Sequence, residues 1–324
     1  MRTLRLLLLL LTLLLAAAAQ AADPLPSWAD RPVKHAILDW LVAVTDTAGA
    51  DFIPVPERIA VLDNDGTLWC ERPEYSPTQF QVDLCRSLAA RGAIDGEAMP
   101  FKAWFADDRK DLRSYGYDKA YEAMNEAFAG MPVSDFRDSV RAWIARTPHE
   151  RYGVPHTDLY YPAMLELMRL LEAHDFQVWI VTGGIQEFLR SYSEELLGIP
   201  PERVIGTTDQ PKYTVTADGT VVIVRGRDVI TNGGPSKPAN IEMRIGRRPV
   251  FAAGNSDNDE PMCRYAVTGK RRALALWIHH DDGRREYDYG KPGDLGDLCR
   301  DNDRAHEVSM KHDWNRIFAE GIGE

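Results

Sequence analysis

The run IAVLDNDGTLW, Ile59 to Trp69, constrains the fold more than any other stretch of the chain. Its four apolar residues, Ile59 to Leu62, predict a strand covered on both faces. The strand runs straight into Asp63 and Asp65. Residues two apart on a strand point the same way, so the two carboxylates leave its carboxyl end side by side. That end is where open α/β sheets bind ligands. Two close carboxylates repel, and they need a cation or a shared proton. A calcium loop fails on spacing. With Gly66 as the sixth residue of an EF-hand loop, Val61 would be the first ligand and Arg72 the last, and neither is a carboxylate. A plain turn accounts for the glycine but not for the buried approach.

The pattern around this strand predicts an α/β protein. PVKHAILDWLVAVT, residues 32–45, reads as a helix with Ile37, Leu38, Leu41 and Val42 on one face. Between about Pro77 and Asp158 every segment is helical, with apolar residues at spacings of three and four and Gly or Pro between segments. Afterwards helix and strand alternate. YYPAMLELMRLLEAH is a helix, FQVWIVTGG a strand and IQEFLRSYSEELLG a helix ending at Gly198. KYTVTADGTVVIVRG is a hairpin turning at Asp218-Gly219. KPANIEMRIG is a short helix, RPVFAAGN and ALALWIHH are strands, and KHDWNRIFAEG is a closing helix. Such alternation predicts a doubly wound, Rossmann-like parallel sheet with helices on its faces.

Met1 to Ala21 has the form of a signal peptide: Arg2 and Arg5, a leucine run, then Ala19-Gln20-Ala21 as a cleavage site. The apolar run is short for a membrane span of about 20 residues. Cleavage and export to the periplasm or the medium are therefore expected, and about 300 residues would remain, enough for one large or two modest domains. The expected organisation is 1–21 signal peptide, 22–68 and 159–324 core, and 69–158 helical insertion. The net charge of -11 leaves no basic patch for a nucleic-acid backbone. No C-x-x-C pair marks a structural zinc site. Cys70, Cys85, Cys263 and Cys299 can pair in three ways if the protein is exported, or Cys70, beside the aspartates, can be a buried thiol, and the sequence does not choose.

Three further segments carry chemistry. VWIVTGG puts Thr182, Gly183 and Gly184 where a strand becomes a helix, with a hydroxyl and bare N–H groups for an anion. GPSKPANIE puts Lys237 before a helix, within reach of a phosphate. VFAAGNSDNDEPM ends a strand in Asn255, Asp257, Asn258 and Asp259, oxygen donors suited to a hard cation. Each signal alone has an ordinary structural explanation as a turn or a solvated side chain. His279 to Asp282, HHDD, does not form a metal site, because neighbours on a strand face opposite ways; a loop at a strand end is expected. Trp104, Tyr115, Tyr117 and Tyr121 can cage a quaternary ammonium, but their helical spacing places them in a core or interface. Glu71, Arg72 and Glu74 follow the first motif, where they can touch a leaving group.

Taken in order, strand–DxDGT, strand–TGG, lysine and strand–GNSxxD, the chain resembles the haloacid dehalogenase superfamily over most of its length. The helical block resembles that family's C1-type cap. Thr-Gly-Gly and PERVIGT are most similar to the phosphoserine and phosphorylcholine phosphatase branch. The resemblance implies an Mg²⁺-dependent phosphomonoester hydrolase acting on a small phosphorylated substrate. Asp63 would be the nucleophile and Asp65 the general acid and base. Thr182, Gly183 and Lys237 would hold phosphoryl oxygens. Asp63, the Asp65 carbonyl, Asn255 and Asp259 would surround the metal. The family commonly has Asp where this chain has Asn255, which removes one negative charge and leaves Asp257 or Asp259 as alternative ligands. Two rival expectations are a dehalogenase, which has no use for Asp65, and an exported ligand-binding member with weakened catalysis.

Overall fold

A computed structural model describes residues 23–323; the predicted signal peptide lies outside them. Ile59–Leu62 forms the strand β1, buried along its whole length. Its alternate residues feed two separate cores, Ala60 and Leu62 one and Ile59 and Val61 the other. The remaining strands are β2 (Gln177–Ile185), β3 (Val204–Thr207), β4 (Lys212–Val215), β5 (Val221–Val224), β6 (Phe251–Gly254), β7 (Leu274–His279) and β8 (Ala305–Ser309). Six of them make one sheet, in the order β3-β2-β1-β6-β7-β8. Every neighbouring pair in it is parallel. This is the doubly wound α/β sheet that the alternation predicts. β1 lies near its middle, so its carboxyl end opens between the ends of β2 and β6.

Between β1 and β2 the chain forms six α-helices: Ser76–Ala90, Phe101–Phe105, Arg109–Tyr115, Tyr117–Ala127, Val133–Ile144 and, leading into β2, Pro162–Ala173. Trp104 is buried there against Tyr117 and Tyr121, at 6.4 and 5.3 Å between ring centroids. These aromatics are core, not a cage. The antiparallel β4–β5 hairpin turns at Gly219, whose φ of +84° suits glycine. The chain leaving β5 joins the helices: Arg225 N donates to Met131 O, and the Arg225 guanidinium lies 3.9 Å from the Phe136 ring centre while pairing with Asp209.

Three expectations need correction, and one question left open by the sequence is answered. The helix predicted from Ile185 to Gly198 is two short helices, Gln186–Arg190 and Ser193–Leu197. Arg141 Nε takes the Ser191 carbonyl, which a continuing helix would need, and buried Tyr192 turns toward Trp69. The closing helix stops at Asp313. Beyond it Arg285 binds the carbonyls of Trp314 and Asn315, while Trp314 pairs with Trp28 as an isolated bridge. β3 and β8 are strands that the sequence pattern did not announce. All four cysteines are free thiols.

Candidate active site

The site grows from the carboxyl end of β1. Asp63 N donates to Ala253 O of β6 at 2.9 Å, which continues the ladder by one residue and fixes the direction of the Asp63 side chain. Lys237, at the start of helix Ser236–Ile245, is buried and reaches across. Its Nζ lies 2.7 Å from Asp63 Oδ1, 2.5 Å from Asp259 Oδ1 and 2.8 Å from Val181 O. Burial works against this ammonium, but Asp259 and Asp63 outweigh it and hold the charge above the usual lysine range. Asp63 is pushed up, first by burial and then by Asp259, and Lys237 opposes that rise.

Asp65 sits beside Asp63. Its Oδ1 accepts from Trp69 Nε1 at 2.7 Å and its Oδ2 faces Thr182 Oγ1 at 3.4 Å. Burial raises its pKa in spite of these donors. Thr182 Oγ1 also accepts from Gly184 N at 2.9 Å, within the irregularity that shifts the register of β2 between Val181 and Ile185. Gly183 is exposed at this irregularity. Thus Asp63, Asp65, Thr182 and Lys237, spread over 174 positions of sequence, meet at one strand end.

Asp259, one of the expected metal ligands, is engaged through both carboxylate oxygens. One oxygen binds Lys237, and the other caps the turn by accepting from Asn255 N, Ser256 N and Ser256 Oγ. Asp257 points elsewhere, accepting from Leu295 N at 3.1 Å. Asn255 is the member of the Asn/Asp cluster that faces the carboxylates. Its Nδ2 donates to Glu71 Oε1 at 3.3 Å, and its Oδ1 lies 3.5 Å from Thr67 Oγ1. Glu71 is buried, and burial lifts its carboxyl to about 7 against the pull of His280.

Among the described residues, no three His, Cys, Asp or Glu side chains form a group placed to hold a metal. A magnesium site of mixed donors does not require one. The available oxygens are the Asp63 carboxylate, the Asn255 amide and the Asp65 main-chain carbonyl. These hard donors lie within a cluster in which Asp63, Asp65 and Glu71 are all pushed up by burial. Such a donor set and such excess negative charge fit Mg²⁺.

Three supporting residues escaped the sequence reading. Trp69 holds Asp65. Buried Asn232 donates to Thr182 O at 2.8 Å and faces Ile205 O at 3.3 Å, bracing the irregular end of β2 against β3. His280, set aside with the HHDD segment, is fully buried behind the first motif. Its Nε2 lies 2.7 Å from Gly66 O and its Nδ1 lies 2.9 Å from Glu286 Oε2. Both partners accept hydrogen bonds, so both ring nitrogens carry protons. Burial disfavours that charge, but Glu286 more than offsets it and raises His280. The other members of HHDD disperse: His279 binds Glu307, Asp281 binds Ser309 and Asp282 binds Arg285.

Residues 60–264 match the model of the haloacid dehalogenase-like hydrolases, and the chain belongs to that family. A search of curated proteins gives no match. Among solved structures, a functionally unknown protein from Anaerococcus prevotii DSM 20548 is 16% identical, with 86% of this chain and 91% of that one covered and a TM-score of 0.54. A protein of unknown function from Bordetella pertussis Tohama I is 17% identical, with 78% and 99% covered and a TM-score of 0.50. These likenesses establish the shared fold.

Proposed function

We propose that this chain is a phosphomonoester hydrolase that works through a phosphoryl group carried on Asp63. The observation that carries the reading is the meeting of Asp63, Asp65, Thr182 and Lys237 at the end of β1. Asp63 attacks phosphorus while the bond to the leaving oxygen breaks. Asp65, whose proton burial helps retain, gives that proton to the departing alkoxide. Asp65 then takes a proton from water as its oxygen attacks the same phosphorus. Inorganic phosphate leaves and the Asp63 carboxylate is restored. Lys237, Thr182 Oγ1 and the Gly183 N–H hold phosphoryl oxygens. Asp63, the Asp65 carbonyl and Asn255 would hold Mg²⁺, which when bound neutralises charge on the phosphoryl group. A dehalogenase would leave Asp65 without a task. Retention of Asp63, Asp65, Thr182 and Lys237 together favours catalysis over a ligand-binding role.

The substrate we propose is a small phosphorylated metabolite met outside the cytoplasm. Export is supported by the basic, apolar and A-x-A segments of Met1 to Ala21. The expected outcome with a generic aryl phosphate is hydrolysis that stops on exhaustive chelation and returns when Mg²⁺ is added. Full activity after chelation would remove the metal from the account.

A further inference from the structure

The aspartate common in the family is replaced by Asn255, and the structure places a second carboxylate against that amide. Glu71 Oε1 lies 3.3 Å from Asn255 Nδ2. The opposite end of the amide, Oδ1, faces the Thr67 hydroxyl. Only this orientation gives the amide nitrogen an acceptor and its oxygen a donor; the flipped amide would set an oxygen against a carboxylate. Both side chains are buried, with Glu71 at 6% and Asn255 at 7% exposure.

The seat beneath the pair is built for them. Gly66 has φ +73°, and a Cβ there would lie 2.0 Å from Asn255 Nδ2 and 2.9 Å from Glu71 Cδ. No residue with a side chain fits under these two groups. On its other side the same glycine is pinned through its carbonyl by His280, which is held in turn by Glu286. Glu286 also accepts from Cys70 Sγ at 3.1 Å and Tyr161 Oη at 3.2 Å. The turn that carries the pair is thus fixed from behind by buried hydrogen bonds.

We propose that Glu71 and Asn255 act as one unit in place of the missing aspartate. Glu71 fixes the amide so that its oxygen is the end left to ligate the metal, and supplies the negative charge that the asparagine lacks. Glu71 is a positioning residue here, and its role rests on the magnesium site of the proposed function. The unit also changes what Asn255→Asp should do. That substitution sets a second carboxylate against Glu71 and loses their hydrogen bond, so the added charge does not simply tighten the site.

The test is a charge swap: the unaltered protein, Glu71→Gln, Asn255→Asp and the double variant. Magnesium binding is measured by calorimetry on phosphate-free protein at fixed pH and ionic strength, and melting temperature is recorded alongside. Glu71→Gln should weaken Mg²⁺ about tenfold, because part of the Coulomb attraction survives desolvation. The double variant should return to within about threefold of the unaltered protein, since the carboxylate and the amide have exchanged places. It should also melt above Asn255→Asp, because the carboxylate pair is relieved. Should Glu71→Gln fail to fold, that second comparison decides, and a double variant melting below Asn255→Asp overturns the proposal. Unchanged Mg²⁺ affinity in Glu71→Gln with a raised KM overturns it too and places Glu71 on the leaving group. No Mg²⁺ binding by the unaltered protein overturns the metal reading itself, and the unit with it.

Discussion

The two halves of the site are built on opposite electrostatic plans. On one side Lys237 lies between Asp63 and Asp259, with every contact short and the cation fully enclosed. On the other side Asp65, Glu71 and Asn255 share neutral donors: the Trp69 indole, the Thr182 hydroxyl and the asparagine amide. On that side the His280 imidazole reaches the carbonyl of Gly66 and hydrogen-bonds neither Asp65 nor Glu71. The first half supplies a fixed positive charge. The second sets Asp65, whose proton burial helps retain, beside Glu71, which accepts from the Asn255 amide. The contrast shows how two aspartates only two residues apart take different tasks. In the proposed mechanism Asp63, which faces a lysine, is the nucleophile, and Asp65, which faces neutral donors, carries the proton that a leaving group needs.

The largest break in this contrast is Lys237→Met. It leaves Asp63 and Asp259 buried without their cation and should cost about 3–5 kcal/mol of stability by chemical denaturation, with loss of turnover. A loss below about 1 kcal/mol would mean that the triad is solvated and not enclosed. Next is Asp65→Asn, which keeps the Trp69 contact but removes the transferable proton. Its kcat should fall about 10²–10⁴-fold. Leaving groups of lower pKa, which need no proton, should recover much of that loss; an equal loss for all leaving groups would remove Asp65 from proton transfer. The smallest effect sharpens a parallel contrast between two buried histidines. His280 is held charged by Glu286, whereas His156, between Trp69 and Trp143, has Ser76 Oγ as its one partner. Burial, with His149 nearby, lowers His156 to about 4. Above the unperturbed value of about 6.5 both folded and unfolded forms are neutral there, so His156 makes no difference. Between about 6.5 and 4 only the unfolded chain takes up the proton, and stability falls by about 3 kcal/mol in total. His156→Gln should flatten that part of the stability–pH curve. An unchanged acid limb would show that His156 does not set it.

The sequence discloses the parts of this design that depend on local pattern. Pro32–Thr45 and Ile59–Leu62 are a helix and a strand with the bounds their periodicity predicts. The four motif residues were legible because Asp63 and Asp65 follow the end of β1, Thr182 lies where β2 becomes irregular beside Gly183-Gly184, and Lys237 stands at a helix start. What stayed hidden depends on distant partners. His280 and Gly66 are 214 positions apart, and Glu71 and Asn255 are 184 apart. No spacing rule connects either pair. β3 was masked by Gly206, which a strand pattern disfavours; a Cβ there would lie 2.8 Å from Gln186 Cα, so the glycine serves close backbone approach. β8 is an edge strand in which Ala305 and Val308 alone are buried, too few to announce it.

The central claim is that Asp63 carries the phosphoryl group, and trapping it is the most direct test. The protein is mixed with a labelled phosphomonoester and Mg²⁺, quenched in acid within milliseconds, digested and mapped. The account predicts a label on the peptide that contains Asp63, removable by hydroxylamine as an acyl phosphate is, and no label in Asp63→Asn. Turnover without any trapped label, or a label on another residue or in Asp63→Asn, would contradict it.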